Sequence, residues 1–177
     1  MALLKPSRVG LVLTAVLLAR LAGAVSVGAP APAVTLVDAE RRPLPLETLR
    51  GKVVCLDFWA TWCAVCKTAL PALDAIARRH AGRGLEVVAV GIDGDPALAE
   101  RVLRERLPDA ALRAAYDPSG SVFSTFRARG MPALYLIDRA GVVRLVESGY
   151  EPGRLDAVER EIERLLDGDV SGAGGAP

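Results

Sequence analysis

The chain has one histidine and three cysteines in 177 residues, so a zinc site with the usual four Cys or His ligands would have to use every one of them, and they do not stand as the two paired clusters zinc commonly takes. Its charges nearly cancel, with 22 Lys and Arg against 21 Asp and Glu, a balance that argues against nucleic acid or an anionic membrane as partner. The early apolar stretch Val9–Ala19 falls short of the roughly 20 residues needed to span a bilayer, and Arg20 interrupts it. No cysteine follows Ala24 directly, which excludes a lipid-modified cysteine there, and no internal repeat is visible.

What is present begins with Lys5 and Arg8, the apolar stretch, and the small-residue triplet Ala22-Gly23-Ala24 at which a signal peptidase would cut. The expected organisation is a signal peptide or N-terminal anchor over 1–24, one domain over 25–167 and a disordered tail over 168–177. The chain is expected to be exported, to the periplasm or another extracytoplasmic place, with anchoring by residues 9–24 as the competing reading and no stable membrane insertion if the signal is cleaved. Cleavage would take Lys5, Arg8 and Arg20 and no acid from a chain of formal net charge +1, leaving it slightly acidic. At 51% hydrophobic and 24% charged, the chain can build one sizeable core.

The run "VVCLDFWA", Val53–Ala60, is apolar almost throughout and reads as a central strand covered on both faces. From Cys66 the apolar positions Leu70, Leu73, Ile76 and Ala77 recur at helical spacing until glycines stop them near Gly84. "LEVVAVGID" reads as a second buried strand, and a helix runs from Pro96 to Pro108. "LRAAYD" adds a strand and "SGSVFSTFRA" a short helix. "ALYLID" and "VVRLVESG" pair antiparallel about a turn at Asp138–Gly141, and Leu155, Val158, Ile162 and Leu165 mark a closing helix. Strand alternating with helix predicts parallel pairing in the middle; the antiparallel end makes the fold class α/β with a central mixed sheet flanked by helices. The Pro-rich segment before Val53 reads as a peripheral strand or hairpin around Val34–Val37.

"FWATWCAVCK" carries the chemistry. A strand running into a helix places Cys63 at the helix N-terminus, where unpaired backbone N–H groups and the macrodipole favour a thiolate, the nucleophile of disulfide exchange. Cys66 follows one turn later on the same side, near enough to bridge. A metal site would have to recruit Cys55, inside a strand, and His80, at the far end of the following helix. A purely structural disulfide would close a very short loop and constrain little unfolded chain.

"GAPAPAVTL", "LRGKVVCLDFWATWCAVCK" and "RGMPALYLIDRAGVV", in that order, resemble the thioredoxin superfamily, and within it the exported TlpA/ResA-type branch. The resemblance implies a thioredoxin fold, with the long stretch from Cys66 to Pro132 holding that branch's inserted strand-helix element. It also implies that Cys63 is the attacking thiol, Cys66 the resolving thiol, and Asp57 a buried acid beneath them that exchanges a proton with Cys66. Pro132 resembles the family's cis-proline, which presents the backbone of the preceding residue, here Met131, to a substrate strand. Trp62 would shield the couple and contact partners, or simply pack, and Pro71 sits where the family bends this helix.

The sequence departs from that pattern at three places. The residues between the cysteines are Ala64 and Val65, without a proline; Ala69 stands where ResA-type proteins carry a glutamate; and Cys55 is an addition, read as a small buried hydrophobe. The expected function is an exported thiol-disulfide oxidoreductase that reduces disulfides of specific proteins, cytochrome c maturation being one setting. No cofactor or metal is expected. Partners are disulfide-containing or dithiol proteins and a membrane electron donor. The rivals are an oxidase using the same residues in reverse, a copper-handling protein on the same fold, which would need ligands beyond two cysteines, and, weaker, a peroxidase.

Overall fold

The computed structural model describes residues 25–151 and 153–168. The expected signal peptide or anchor at 1–24 and the tail after Gly168 lie outside them, and no helix among the described residues is long and apolar enough to cross a membrane. The elements run β1 (Thr35–Asp38), β2 (Pro43–Pro45), a 3-10 turn (Leu46–Leu49), β3 (Val53–Trp59), α1 (Ala64–Arg79), β4 (Leu85–Gly91) and α2 (Pro96–Arg106). There follow β5 (Arg113–Tyr116), α3 (Ser121–Phe126), β6 (Ala133–Ile137), β7 (Val143–Ser148) and α4 (Arg154–Gly168).

The strands form a single sheet in the order β2-β1-β5-β4-β3-β6-β7. β3, β4 and β5 are parallel, joined by helical crossovers, while β1 and β2 at one side and β6 and β7 at the other pair antiparallel. The sheet is therefore mixed. Between β4 and β6 stand α2, β5 and α3, which fill the long stretch between Cys66 and Pro132.

All seven residues of β3 are buried, as its unbroken apolar run requires. Val53, Cys55 and Trp59 pack with Leu70, Leu73 and Ile76 of α1 and with Val158, Ile162 and Leu166 of α4. Val54, Leu56 and Phe58 pack on the other face with Phe126 of α3, Tyr135 and the leading hairpin. This strict alternation assigns Asp57 to the α1/α4 face. β4 comes close to α2 at Gly91, where an added Cβ would lie 2.8 Å from that of Ala99.

Two boundaries differ from the sequence expectation. Helix α1 starts at Ala64, two residues before the apolar spacing reveals it, because Ala64 and Val65 face solvent and carry no core signal. In α4 the buried stripe is Val158, Ile162 and Leu166, with Leu165 only half-buried. The 3-10 turn, which buries Leu46 and Leu49, was not legible in the Pro-rich lead-in.

Candidate active site

Cys63 caps α1. Its extended backbone lies outside the helix, and its sulfur accepts the N–H of Cys66 at 3.2 Å. No acid stands in the first turn to compete with a developing thiolate, so the orphan N–H groups and the dipole act on sulfur alone. The two sulfurs are joined as a disulfide, with Cα atoms 5.3 Å apart. Cys63 is 9% exposed and Cys66 fully buried, so a partner can reach only the first.

The loop ahead of the couple is fixed from β4's side. The carboxylate of Asp93, just past the strand, accepts the backbone N–H of Thr61 at 3.0 Å and its hydroxyl at 2.6 Å. Trp62, between Thr61 and Cys63, projects outward at 70% exposure, which argues against the packing alternative. With half-exposed Val65 it leaves an apolar rim beside Cys63.

Asp57 is 2% exposed, and its Oδ2 has no hydrogen-bond partner. Desolvation pushes its carboxyl up to about 8, because charge is disfavoured in an apolar setting. It borders a narrow crevice together with Ala69 and Leu73 of α1, Pro132 and Leu134. Ala69 and Leu73 continue the buried stripe of α1 that begins at Cys66.

The Met131–Pro132 bond is cis, and the Pro132 carbonyl accepts the N–H of Gly149 at 2.8 Å, a residue whose φ of 80° suits glycine. Met131 is half-buried against the apolar cluster that contains both cysteines. Pro71 lies inside α1, where its missing N–H gives up one helix hydrogen bond. The structure thus gathers Asp57, Cys63, Cys66, Met131 and Pro132 at one end of the sheet, with Trp62 at the rim.

The remaining metal-type residues are placed elsewhere. Cys55 is wholly buried, and desolvation, followed by the charge of Asp57, pushes its thiol far above the usual range. His80 ends α1, with Nε2 2.9 Å from Glu159 and Nδ1 3.0 Å from Arg83. An arginine can only donate, so Nδ1 is the acceptor and Nε2–H faces Glu159. Among the described residues no three His, Cys, Asp or Glu side chains come together in a way that could hold a metal ion.

Residues 27–146 match the AhpC/TSA family. The chain belongs to that family, within the thioredoxin superfamily. Thiol-disulfide oxidoreductase ResA of Geobacillus kaustophilus is 30% identical over 142 residues, 80% of this chain and 79% of that protein. A solved Chlorobium tepidum structure, assigned as a thiol:disulfide interchange protein DsbE, superposes with a TM-score of 0.75 at 32% identity, covering 81% of this chain and 99% of its own. The exposed lipoprotein thioredoxin of Streptococcus pneumoniae is similar at a TM-score of 0.63 and 28% identity, covering 76% of this chain and 100% of its own. With the Cys63–Cys66 couple in place, this AhpC/TSA-family chain is a thiol-disulfide oxidoreductase.

Sequence reasoning missed the Thr61–Asp93 clamp and the polar residues that share Asp57's crevice, Glu147, Tyr150 and Arg154. The only sequence signal was a glutamate near the end of a strand, in "VVRLVES", that already carries Arg144 and Ser148.

Proposed function

We propose that the protein reduces disulfides of specific protein substrates outside the cytoplasmic membrane, with Cys63 attacking and Cys66 resolving. The observation that carries this reading is the asymmetry of the couple: an accessible sulfur on the helix cap, a buried one behind it, and a buried carboxyl titrating near neutrality on the same face.

In this mechanism the Cys63 thiolate attacks one sulfur of the substrate disulfide. The substrate S–S bond breaks, a mixed disulfide forms, and the first substrate sulfur leaves and takes a proton. Cys66 then gives its proton to the Asp57 carboxylate and attacks Cys63 Sγ. The second substrate sulfur leaves, the substrate has gained two electrons, and the protein is left with the Cys63–Cys66 disulfide. Met131 and cis-Pro132 would hold the substrate strand, and Trp62 with Val65 would contact it through their apolar surface. A membrane protein would return the electrons.

Export, cleavage after Ala24 and a setting in cytochrome c maturation belong to the same proposal, supported by the charged and apolar start and by the ResA-type motifs. The test is a redox titration of the couple against glutathione and dithiothreitol buffers. A reductase should titrate toward the thioredoxin end of the range, about −270 mV, whereas a value near the DsbA end, about −120 mV, would identify an oxidase. Determining the N-terminal residue of the protein isolated from cells tests the cleavage.

A further inference from the structure

Asp57 is buried and its carboxyl titrates at about 8, so near neutrality it must lose a proton before it can accept the one from Cys66. The sheet register shows where it can go. Asp57 on β3 pairs with Leu134 on β6, and Leu134 pairs with Glu147 on β7. Directly paired residues in antiparallel strands share a face, so Asp57, Leu134 and Glu147 form one row across three strands, its ends two strand spacings or roughly 10 Å apart. All three line the same crevice, closed by Ala69 and Leu73 of α1, Pro132, and Leu155 and Val158 of α4.

The crevice leaves about 20 Å³, room for a single water. Its walls are apolar. The groups able to meet that water are Asp57 at the inner end and Glu147, Tyr150 and Arg154 at the outer. Glu147 is 30% exposed at its side chain, and Nη1 of Arg154 holds its Oε2 at 2.9 Å while Nε of the same arginine reaches Glu151 at 3.2 Å. One carboxyl is therefore dry and lacks a partner at Oδ2, and the other is fixed at the opening.

We propose that Glu147 is the outer acid of a proton relay that connects Asp57 to solvent through this crevice, with Arg154 as the residue that positions it. The relay rests on the reading of Asp57 as proton partner of Cys66. Asp57–OH gives its proton to the water, the water passes one of its own to the Glu147 carboxylate, and Glu147 releases it to bulk solvent. Nothing is oxidised or reduced. The polar groups lining the path are Asp57 from β3, Glu147 from β7, Tyr150 from the connecting loop and Arg154 from α4, which also reaches Glu151. Cys55 of β3 interacts with Asp57 from outside the crevice, and α1 brings Cys66, the proton donor, besides the apolar wall of Ala69 and Leu73.

The test is a single turnover of the reduced full-length protein with oxidised glutathione, following release of the first and second glutathione separately in H2O and D2O from pH 5 to 9. Glu147→Gln should leave the first release unchanged, slow the second several-fold near pH 7, alter its pH profile and raise its solvent isotope effect. Glu147→Asp should recover most of the rate. If losing the ion pair disturbs the start of α4, Glu147→Gln with Arg154→Gln removes both charges and should show the same slowing. Parental second-release rates and isotope effects in the glutamine variants, beside an Asp57→Asn variant that is slow, would overturn the relay and leave Asp57's role standing. Parental rates in Asp57→Asn as well would overturn both.

Discussion

Thr61 and Asp93 are joined twice across 32 positions of sequence, the threonine donating its backbone N–H at 3.0 Å and its hydroxyl at 2.6 Å to one carboxylate. Asp93 is 6% exposed, so these bonds replace most of its water. They fix the turn that carries Trp62 and Cys63 onto α1.

Thr61→Val keeps the shape and removes the hydroxyl, leaving a buried acceptor short of a donor. The oxidised protein should lose about 1–3 kcal/mol, read from urea unfolding. The alkylation rate of Cys63 in the reduced protein should change too, since the cap geometry depends on this turn. Unchanged stability together with unchanged alkylation would show that the turn is held by other means.

Asp57 makes the fold's stability depend on pH. Its carboxyl titrates at about 8 in the folded protein against an ordinary 3.8, so the folded state holds a proton that the unfolded chain releases. The stabilising effect of that proton is fully present below about pH 4 and is lost as pH rises through 8. Asp57→Asn cannot ionise, so its advantage over the parent should grow from pH 4 to 8 by a few kcal/mol and level off above. His80 is present in both proteins and cancels in the difference. Parallel stability curves from pH 4 to 9 would mean that the carboxyl is solvated after all.

The same substitution should act on turnover in the opposite sense. Without a proton acceptor for Cys66, release of the mixed disulfide should slow on the order of 100-fold near neutral pH. The deficit should shrink at high pH, where Cys66 ionises unaided. Equal rates for Asp57→Asn and parent across neutral pH would leave Asp57 a structural acid.

What was legible in the sequence is what short-range patterns encode. The apolar run of β3 announces a strand covered on both faces, and the spacing of Leu70, Leu73 and Ile76 announces the face of α1 that covers it. Cys63 and Cys66 stand together in sequence because one helical turn brings them together. Asp57 was singled out by its match to the buried acid of thioredoxin, a match strengthened because a carboxylate in such a run is costly without a purpose. Thr61–Asp93 and Asp57–Glu147 were illegible for the converse reason. Each pair is created by register between strands distant in sequence, and nothing local to Glu147 says that β7 will lie two strands from Asp57. Trp62 stood open between contact and packing because a large aromatic serves either, and only the exposure left by its inward-clamped neighbours separates the two.

The sharpest prediction separates the two cysteines. Cys63 is reachable on the helix cap, whereas Cys66 is sealed behind it. Attack on a substrate disulfide must therefore begin at Cys63, and resolution requires Cys66. Cys66→Ser should accumulate covalent adducts with partner proteins that dithiothreitol releases, and Cys63→Ser should trap few or none. Serine keeps the size and removes the nucleophile, so the comparison reports chemistry more than packing. Cys55 cannot substitute as resolver in the Cys66 variant: it is wholly buried, and its thiol is held protonated by desolvation and by Asp57. Adducts isolated from cells and mapped by mass spectrometry should thus be linked through Cys63 alone. Equal trapping by both variants, or linkage through Cys55, would reverse the assignment of roles while leaving the fold intact.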